Sequence, residues 1–226
     1  MKTLSVIIPC YNEEKNIEEL LKRVNDVEIN NIRKEIIVVD DCSTDDSRKV
    51  LEKNKKIIQK ILFHSENMGK GAALRTGIKN ATGDYIIIQD GDLEYDPNEY
   101  ENLLKPLIND ECDVVYGSRF KNKVYKGYIS NKLANRFLTN LSNLFTHYKL
   151  TDMETCYKVF KSDIIKSIDL KENRFGFEPE VTSKLSKKKV KIKEVQIKYN
   201  PRTKNEGKKI GIKDGLRAIY CILKYR

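Results

Sequence analysis

The chain has 226 residues, 39% hydrophobic and 34% charged, with a formal net charge of +10. That length supports one sizeable core and does not require two domains. No apolar run approaches the roughly 20 residues that cross a bilayer, and Leu4–Ile8 meets Asn12-Glu13-Glu14-Lys15 too soon for a signal peptide, so neither an integral span nor a leader is expected. The five cysteines (Cys10, Cys42, Cys112, Cys156, Cys221) are scattered and form no C-x-x-C pair, which argues against a disulfide framework or a zinc site and for a reducing, cytoplasmic compartment. With only His64 and His147, a histidine-rich metal centre is excluded. The positive charge favours an anionic partner or serves solubility. The lysines are scattered and no base-stacking platform stands out, so nucleic acid is not the expected partner.

Leu4–Pro9 reads as a first strand, followed by a helix over Glu13–Val24 with Ile17, Leu20, Leu21 and Val24 on one face and Asn12 as its cap. Glu35–Asp40 is a second buried strand. A helix over Ser43–Leu51 follows, capped by Ser43 or Thr44, with Asp45 and Asp46 in its first turn, where the helix dipole favours negative charge. Lys60–His64 is a weaker strand, Gly69–Lys79 a helix, and Tyr85–Ile88 a short β-branched run buried on both faces. Asp96-Pro97 opens another helix and Asp113–Tyr116 is a further strand. This alternation predicts an α/β domain with a mainly parallel central sheet flanked by helices.

The second half is less regular. Ser130–Thr146 and Phe177–Leu185 read as helices, Met153–Phe160 ends in a short strand, and Val190–Tyr199 alternates like a half-exposed strand with one slip. Pro201–Gly211 is rich in Gly, Lys and Arg and reads as a mobile loop before a last helix over Lys213–Tyr225.

Ligands of such sheets bind at the carboxyl ends of the strands. Pro9–Tyr11, Asp40-Asp41 and Asp90-Gly91-Asp92 all fall there. Two carboxylates one residue apart can converge on one hard divalent cation, Mg²⁺ or Mn²⁺, which in turn holds phosphates. The alternative for the trio is an acidic surface turn. Pro9-Cys10-Tyr11-Asn12-Glu13 is not the G-x-G-x-x-G turn of a dinucleotide site, and Asn67-Met68-Gly69-Lys70-Gly71 lacks the order of a phosphate loop. Gly69 and Gly71 are read as a tight turn into a helix, with anion binding the lesser option.

Val6 to Glu13, Ile37 to Ser43, and Gly83 through Asp90-Gly91-Asp92 resemble the family 2 inverting glycosyltransferases of GT-A fold. Val115 to Phe120, Thr151 to Phe160 and Tyr199 to Gly211 are similar to the dolichol-phosphate mannose synthase branch and its polyprenyl-phosphate relatives. The resemblance covers essentially the whole chain. It implies one GT-A domain over 1–226: a nucleotide-sugar half at 1–120, an acceptor half with a closing loop at 121–211, and a basic amphipathic helix at 212–226.

It also implies roles. Pro9, Tyr11 and Glu13 match base and ribose contacts, and Asp40 the acid that holds the nucleoside. Asp90 and Asp92 match the pair that binds Mg²⁺ or Mn²⁺, with Gly91 between them and Glu94 where a third ligand often stands. Arg119 matches an arginine that meets the acceptor phosphate, and Arg202 and Lys208 match basic residues of a loop closing over the donor diphosphate. Cys42 stands where the family usually has glycine, so that turn is expected to differ in shape. Gly91 replaces a common alanine, without expected consequence. Thr151-Asp152-Met153-Glu154-Thr155 departs from the mannose synthase pattern and leaves the sugar open.

The expected reaction moves a hexose from a GDP-mannose or UDP-glucose type donor to a polyprenyl or dolichyl phosphate, with inversion. An ionised phosphate needs no general base, and Arg119 can grip it bidentately. A hydroxyl acceptor in polysaccharide or glycoconjugate synthesis is the alternative; it needs a base, for which Asp152 and Glu154 are candidates, their competing reading being ion pairs. The intact acidic pair and basic loop count against a silent scaffold subunit. In the last helix, Ile212, Leu216, Ile219, Tyr220 and Leu223 fall near one face, with Lys213, Arg217, Lys224 and Arg226 elsewhere. It can lie on an anionic bilayer or pack on the domain; both hold if the apolar face docks and the lysines turn to lipid. Membrane contact is expected to be peripheral or through a membrane-anchored partner.

Overall fold

The computed structural model describes residues 1–121, 128–202 and 211–226, with Ile212 described by its backbone alone. The strands are β1 (Lys2–Cys10), β2 (Ile32–Asp40), β3 (Lys60–Phe63), β4 (Tyr85–Ile88), β5 (Val114–Ser118), β6 (Lys158–Lys161) and β7 (Ile192–Gln196). They form one sheet in the order β3-β2-β1-β4-β6-β5-β7. All neighbours are parallel except β6, which runs antiparallel to both β4 and β5. The chain moves from β1 outward through β2 and β3, then returns to the far side of β1 with β4. The carboxyl ends of β1 and β4 therefore flank the point where strand order reverses, the usual ligand crevice of such sheets.

The helices are α1 (Ile17–Asp26), α2 (Ser47–Lys53), α3 (Lys70–Asn80), α4 (Tyr100–Ile108, after a 3-10 turn at Pro97–Glu99), α5 (Ile129–Phe145), α6 (Ser162–Lys166), α7 (Phe177–Lys187) and α8 (Ile212–Tyr225). α1 buries the expected stripe, Ile17, Leu20, Leu21 and Val24, because only that 3.6-residue spacing faces the sheet. β1, β2 and β4 bury both faces, so they read as unbroken apolar runs.

The expected helix caps are corrected by the structure. α1 starts after Asn16 and α2 after Asp46, neither with a side-chain cap bond. Asn12, Ser43 and Thr44 instead tie the loops after β1 and β2 together. Asn12 N donates to Ser43 Oγ (3.0 Å), Thr44 N to Asn12 Oδ1 (2.8 Å), and Glu13 N to Ser47 Oγ (2.9 Å). Asp46 N donates to Glu14 Oε2 (2.9 Å). Asn, Ser and Thr satisfy free backbone donors of any kind, and here those donors belong to the neighbouring loop.

Cys42 has φ of 62°. The turn thus keeps the left-handed shape that suits glycine, and the thiol side chain bears the strain. Cys42→Gly is expected to raise stability by up to about 1 kcal/mol, readable as a higher denaturation midpoint.

α8 is fastened through Glu172. Arg217 Nη2 (2.6 Å) and Nε (3.0 Å) donate to Oε2, and Tyr225 OH (2.8 Å) and Lys224 Nζ (3.3 Å) to Oε1. Burial would raise this acid, but the donors, Arg217 foremost, hold it down to about 2 from its ordinary 4.5. A depressed carboxylate stabilises the fold above its unfolded value and loses that contribution as pH falls through the folded value. The attachment of α8 is therefore expected to weaken between pH 4.5 and about 2. At neutral pH, Glu172→Gln should lower stability by about 2 kcal/mol and expose α8 amides to hydrogen exchange. Unchanged exchange would remove this role.

Candidate active site

The Asp90–Asp92 segment leaves β4 on a rigid footing. Gln89 is fully buried, and its Oε1 accepts from Tyr100 OH and Tyr157 OH, both at 2.7 Å. A Cβ on Gly91 would lie 2.9 Å from Pro9 O. The trio thus presses against the end of β1, and the close approach makes glycine consequential at 91, contrary to expectation.

The acidic residues are paired with cations. Lys70 Nζ, at the start of α3, lies 2.8 Å from Asp90 Oδ1 and 3.1 Å from Glu178 Oε1 on α7. Burial would push Asp90 up, yet the Lys70 ammonium keeps it below its ordinary value. Arg202 Nη2 lies 2.5 Å from Asp92 Oδ2, and its Nη1 lies 3.3 Å from Glu13 Oε2. Its backbone N donates to Glu94 Oε1 (2.7 Å), while Tyr199 OH donates to Glu94 Oε2 (3.0 Å). Burial, followed by repulsion from Asp90, pushes Asp92 up to about 7 despite Arg202.

These residues fit a divalent cation. Asp90 and Asp92 are hard oxygen donors, one residue apart and mutually repelling, and the two cations beside them are shared with Glu178, Glu13 and Glu94. Among the described residues no three His, Cys, Asp or Glu side chains form a ready-made cluster. Two carboxylates are nevertheless the usual protein share of a Mg²⁺ site completed by phosphates. Glu94 is held by Tyr199 and Arg202 rather than gathered with the pair.

At the end of β5, Arg119 meets Asp152. Its Nε donates to Oδ2 and its Nη2 to Oδ1, both at 2.7 Å, while the backbone N of Arg119 donates to Oδ2 at 3.0 Å. Asp152 is fully buried. Both its oxygens are taken, so it is placed as the partner of Arg119. The guanidinium lies 5.2 Å from the Tyr199 ring centre. Arg119, Tyr199, Glu94, Arg202 and Asp92 thus form one run of contacts across the rim. Glu154 lies behind, with Oε1 sealed and unpartnered; burial and then Glu178 push it up to about 8.

On the other flank, Asp40 is fully buried. Its Oδ2 accepts from Arg48 Nε (2.6 Å) and Ser43 N (3.2 Å), while Oδ1 has no partner. Pro9 and Tyr11 stand at the end of β1, half-buried. Lys208 lies outside the described residues, as does most of the loop expected over Pro201–Gly211.

The sequence assigns no role to Lys70, Glu178 or Tyr199, and marks Asp41 only as a polar residue at the end of β2. Asp41 accepts from Met68 N (2.9 Å), Gly69 N (2.6 Å) and the His64 ring (2.7 Å), which sets the start of α3 and hence Lys70. The lysine between Gly69 and Gly71 was the available signal, since a tight turn explains the glycines and not the charge.

Residues 5–169 match the family model described as glycosyl transferase family 2. The UDP-N-acetylglucosamine–dolichyl-phosphate N-acetylglucosaminyltransferase of Methanococcus voltae is 30% identical, over 98% of this chain and 95% of that one. The dolichol-phosphate mannosyltransferase of Pyrococcus furiosus is 29% identical over 98% of this chain, which spans only 64% of that longer protein. Among solved structures, glucosyl-3-phosphoglycerate synthase from Mycobacterium tuberculosis, in complex with Mn²⁺, uridine diphosphate and glucosyl-3-phosphoglycerate, superposes with a TM-score of 0.76. It is 19% identical, over 99% of this chain and 80% of that one, so the likeness speaks for fold alone. The reversed-order sheet with its acidic rim is the GT-A fold, and the match over most of its length makes this chain a member of glycosyl transferase family 2.

Proposed function

We propose that the protein transfers a hexose, with inversion, from a nucleoside diphosphate sugar to a polyprenyl phosphate at a membrane surface. The run of contacts joining Arg119 to Asp92 carries this reading, because it sets an arginine suited to a phosphate beside an acidic pair suited to a metal-bound diphosphate. The named activities of the Methanococcus and Pyrococcus relatives agree with it.

Pro9, Tyr11 and Glu13 would line the base and ribose, and the unpartnered Asp40 Oδ1 would accept from the nucleoside. Mg²⁺ or Mn²⁺ held by Asp90 and Asp92 would supply Lewis-acid charge to the leaving diphosphate. Arg202, drawn away from Asp92, would add a second positive charge there, with Lys208 alongside. Arg119, oriented by Asp152, would present its guanidinium to the acceptor. An acceptor phosphate oxygen then bonds to the anomeric carbon. The bond from that carbon to the diphosphate oxygen breaks, and its electron pair leaves with the nucleoside diphosphate. No proton has to move, so Asp152 is a positioning residue.

The second reading is transfer to a hydroxyl acceptor, for which 3-phosphoglycerate, after which the synthase sharing the fold is named, serves as a probe. A donor panel of GDP-mannose, UDP-glucose and UDP-N-acetylglucosamine, offered with Mn²⁺ and either a short polyprenyl phosphate or 3-phosphoglycerate, separates the two. Lipid-linked sugar from one donor is the expected product. Product on phosphoglycerate alone would replace the first reading with the second.

A further inference from the structure

The turn at residues 153–156 is pinned at every residue except Glu154. Met153 N donates to Thr139 Oγ1 on α5 (3.1 Å), Thr155 Oγ1 to Gly117 O on β5 (2.5 Å), and Cys156 N to Tyr95 OH (3.2 Å). The fully buried Lys158 donates to Met153 O (3.0 Å) and also to Thr155 O. Its ammonium thus binds the carbonyls on both sides of Glu154 and not the Glu154 carboxylate. Glu154 Oε1 is sealed from solvent without a hydrogen-bond partner, while the residue as a whole stays partly exposed. Buried polar atoms are nearly always paired, so a rigidly held exception calls for a cause.

This turn joins the two halves of the site. Two residues before Glu154, Asp152 holds the Arg119 guanidinium. Two residues after it, Cys156 Sγ lies 3.8 Å from Ile88 O at the end of β4, and its thiol faces Asp90. The charged groups around Glu154 come from both halves as well. Glu178, which shares Lys70 with Asp90, stands on one side, and Arg119 with Asp152 on the other. Ion pairing does not account for Glu154. Lys158 is bound to carbonyls, Arg119 to Asp152, and Lys70 to Asp90 and Glu178. An ionised carboxylate accepts hydrogen bonds, and a protonated one both accepts and donates; a hydroxyl answers either form.

We propose that Glu154 binds a hydroxyl of the transferred hexose and so helps to select the sugar. The inference rests on the transfer reading above. In that reading the anomeric carbon lies between the incoming phosphate at Arg119 and the leaving diphosphate at Asp90 and Asp92. The ring attached to that carbon then passes over the turn that links those groups, where Glu154 waits. A site built to bond a hydroxyl rejects the analogue that lacks it, because its own buried polar group is left unpaired. Glu154 is thus a specificity residue and not a base. Its carboxylate is repelled by Glu178 and makes no bond that the fold needs, so replacing it should spare stability and cost sugar binding.

The test is isothermal titration with Mn²⁺ and no acceptor, comparing wild type, Glu154→Gln and Glu154→Ala. The ligands are UDP-glucose, GDP-mannose and UDP-N-acetylglucosamine, with UDP and GDP as references. For the sugar nucleotide that wild type binds best, Glu154→Ala should weaken binding about tenfold or more, and Glu154→Gln less. Both variants should bind the nucleoside diphosphate as wild type does and melt no lower. Deoxy analogues of that donor, each lacking one ring hydroxyl, locate the contact. One of them should bind wild type about tenfold more weakly than the parent sugar, and Glu154→Ala no more weakly than the parent. Equal weakening of sugar nucleotide and diphosphate, with or without a lower melting temperature, would overturn the inference. So would variants that keep full affinity for the sugar nucleotide, including any that keep it and lose only kcat, as loss of a general base would. Wild type that binds none of the sugar nucleotides would overturn it too. Because the titration contains no acceptor, wild type that shows this selectivity yet transfers nothing to a polyprenyl phosphate would sink the acceptor reading and leave Glu154 its role.

Discussion

Asp92→Asn is expected to lower the transfer rate by about 10²–10³-fold, the scale seen when one preorganised electrostatic contact to a developing charge is lost. Stability should move the other way. Buried beside Asp90, Asp92 is pushed from its ordinary 3.8 up to about 7. An acid with a raised folded value holds its proton more tightly in the fold than in the unfolded chain, so ionising it costs stability as pH rises across that window. Asparagine removes that cost, and Arg202 keeps its contacts with Glu13 and Glu94. The variant should therefore melt no lower than wild type at pH 8, while losing the rise in melting temperature that Mn²⁺ with a nucleotide gives the wild type. A variant that is inactive and also unstable would mean that Asp92 matters for folding instead.

Asp152→Asn has the second large expected effect. The substitution strips the charge from a bidentate pair that is 9% exposed on the Arg119 side and fully buried on the Asp152 side. Removing one partner of a buried pair typically costs about 3–5 kcal/mol. The Tyr199 ring and Phe120 ring remain to receive the guanidinium, so the lower end is expected. With a lipid-phosphate acceptor, a misdirected Arg119 should raise the acceptor KM at least tenfold, leave the donor KM unchanged, and keep the shape of the kcat–pH profile. Were Asp152 a general base, kcat itself would collapse and the acidic limb of its pH profile would vanish. Arg119→Lys completes the comparison. Lysine keeps the charge but loses the two-pronged geometry, so it too should act on acceptor KM.

Much of the fold is legible in the sequence because local patterning and tertiary burial agree. The Ile17, Leu20, Leu21, Val24 spacing marks α1, and the unbroken apolar runs mark β1, β2 and β4. The acidic trio is legible for the same reason, since a buried strand must end before it. The five-residue α6 is too short to leave a periodic signature. Two apolar stripes run along α8, and the one that docks, Ala218, Cys221, Ile222 and Tyr225, is selected by the ties of Arg217, Lys224 and Tyr225 to Glu172, which spacing alone does not show.

The site is only half legible. Its acids and arginines can be found one at a time, but their partners are set by the sheet order. Lys70 reaches Glu178 across 108 residues, and Arg202 reaches Asp92 across 110. Asp152 reads in the sequence as either a base or an ion-pair member without a nameable partner, and proves to be fully buried against Arg119. Capping residues are equally deceptive, because Asn12 and Ser43 satisfy each other's loops and not the helices that follow them.

The most direct measurement is an anomalous difference map at the manganese edge, from crystals soaked with Mn²⁺ and the donor that supports transfer. One strong peak is expected between the carboxylates of Asp90 and Asp92 and the donor diphosphate, with the Arg202 guanidinium withdrawn from Asp92. A donor bound at the rim with no manganese beside either carboxylate, or manganese bound only at some other acid, would contradict the assignment of this pair as the diphosphate's anchor.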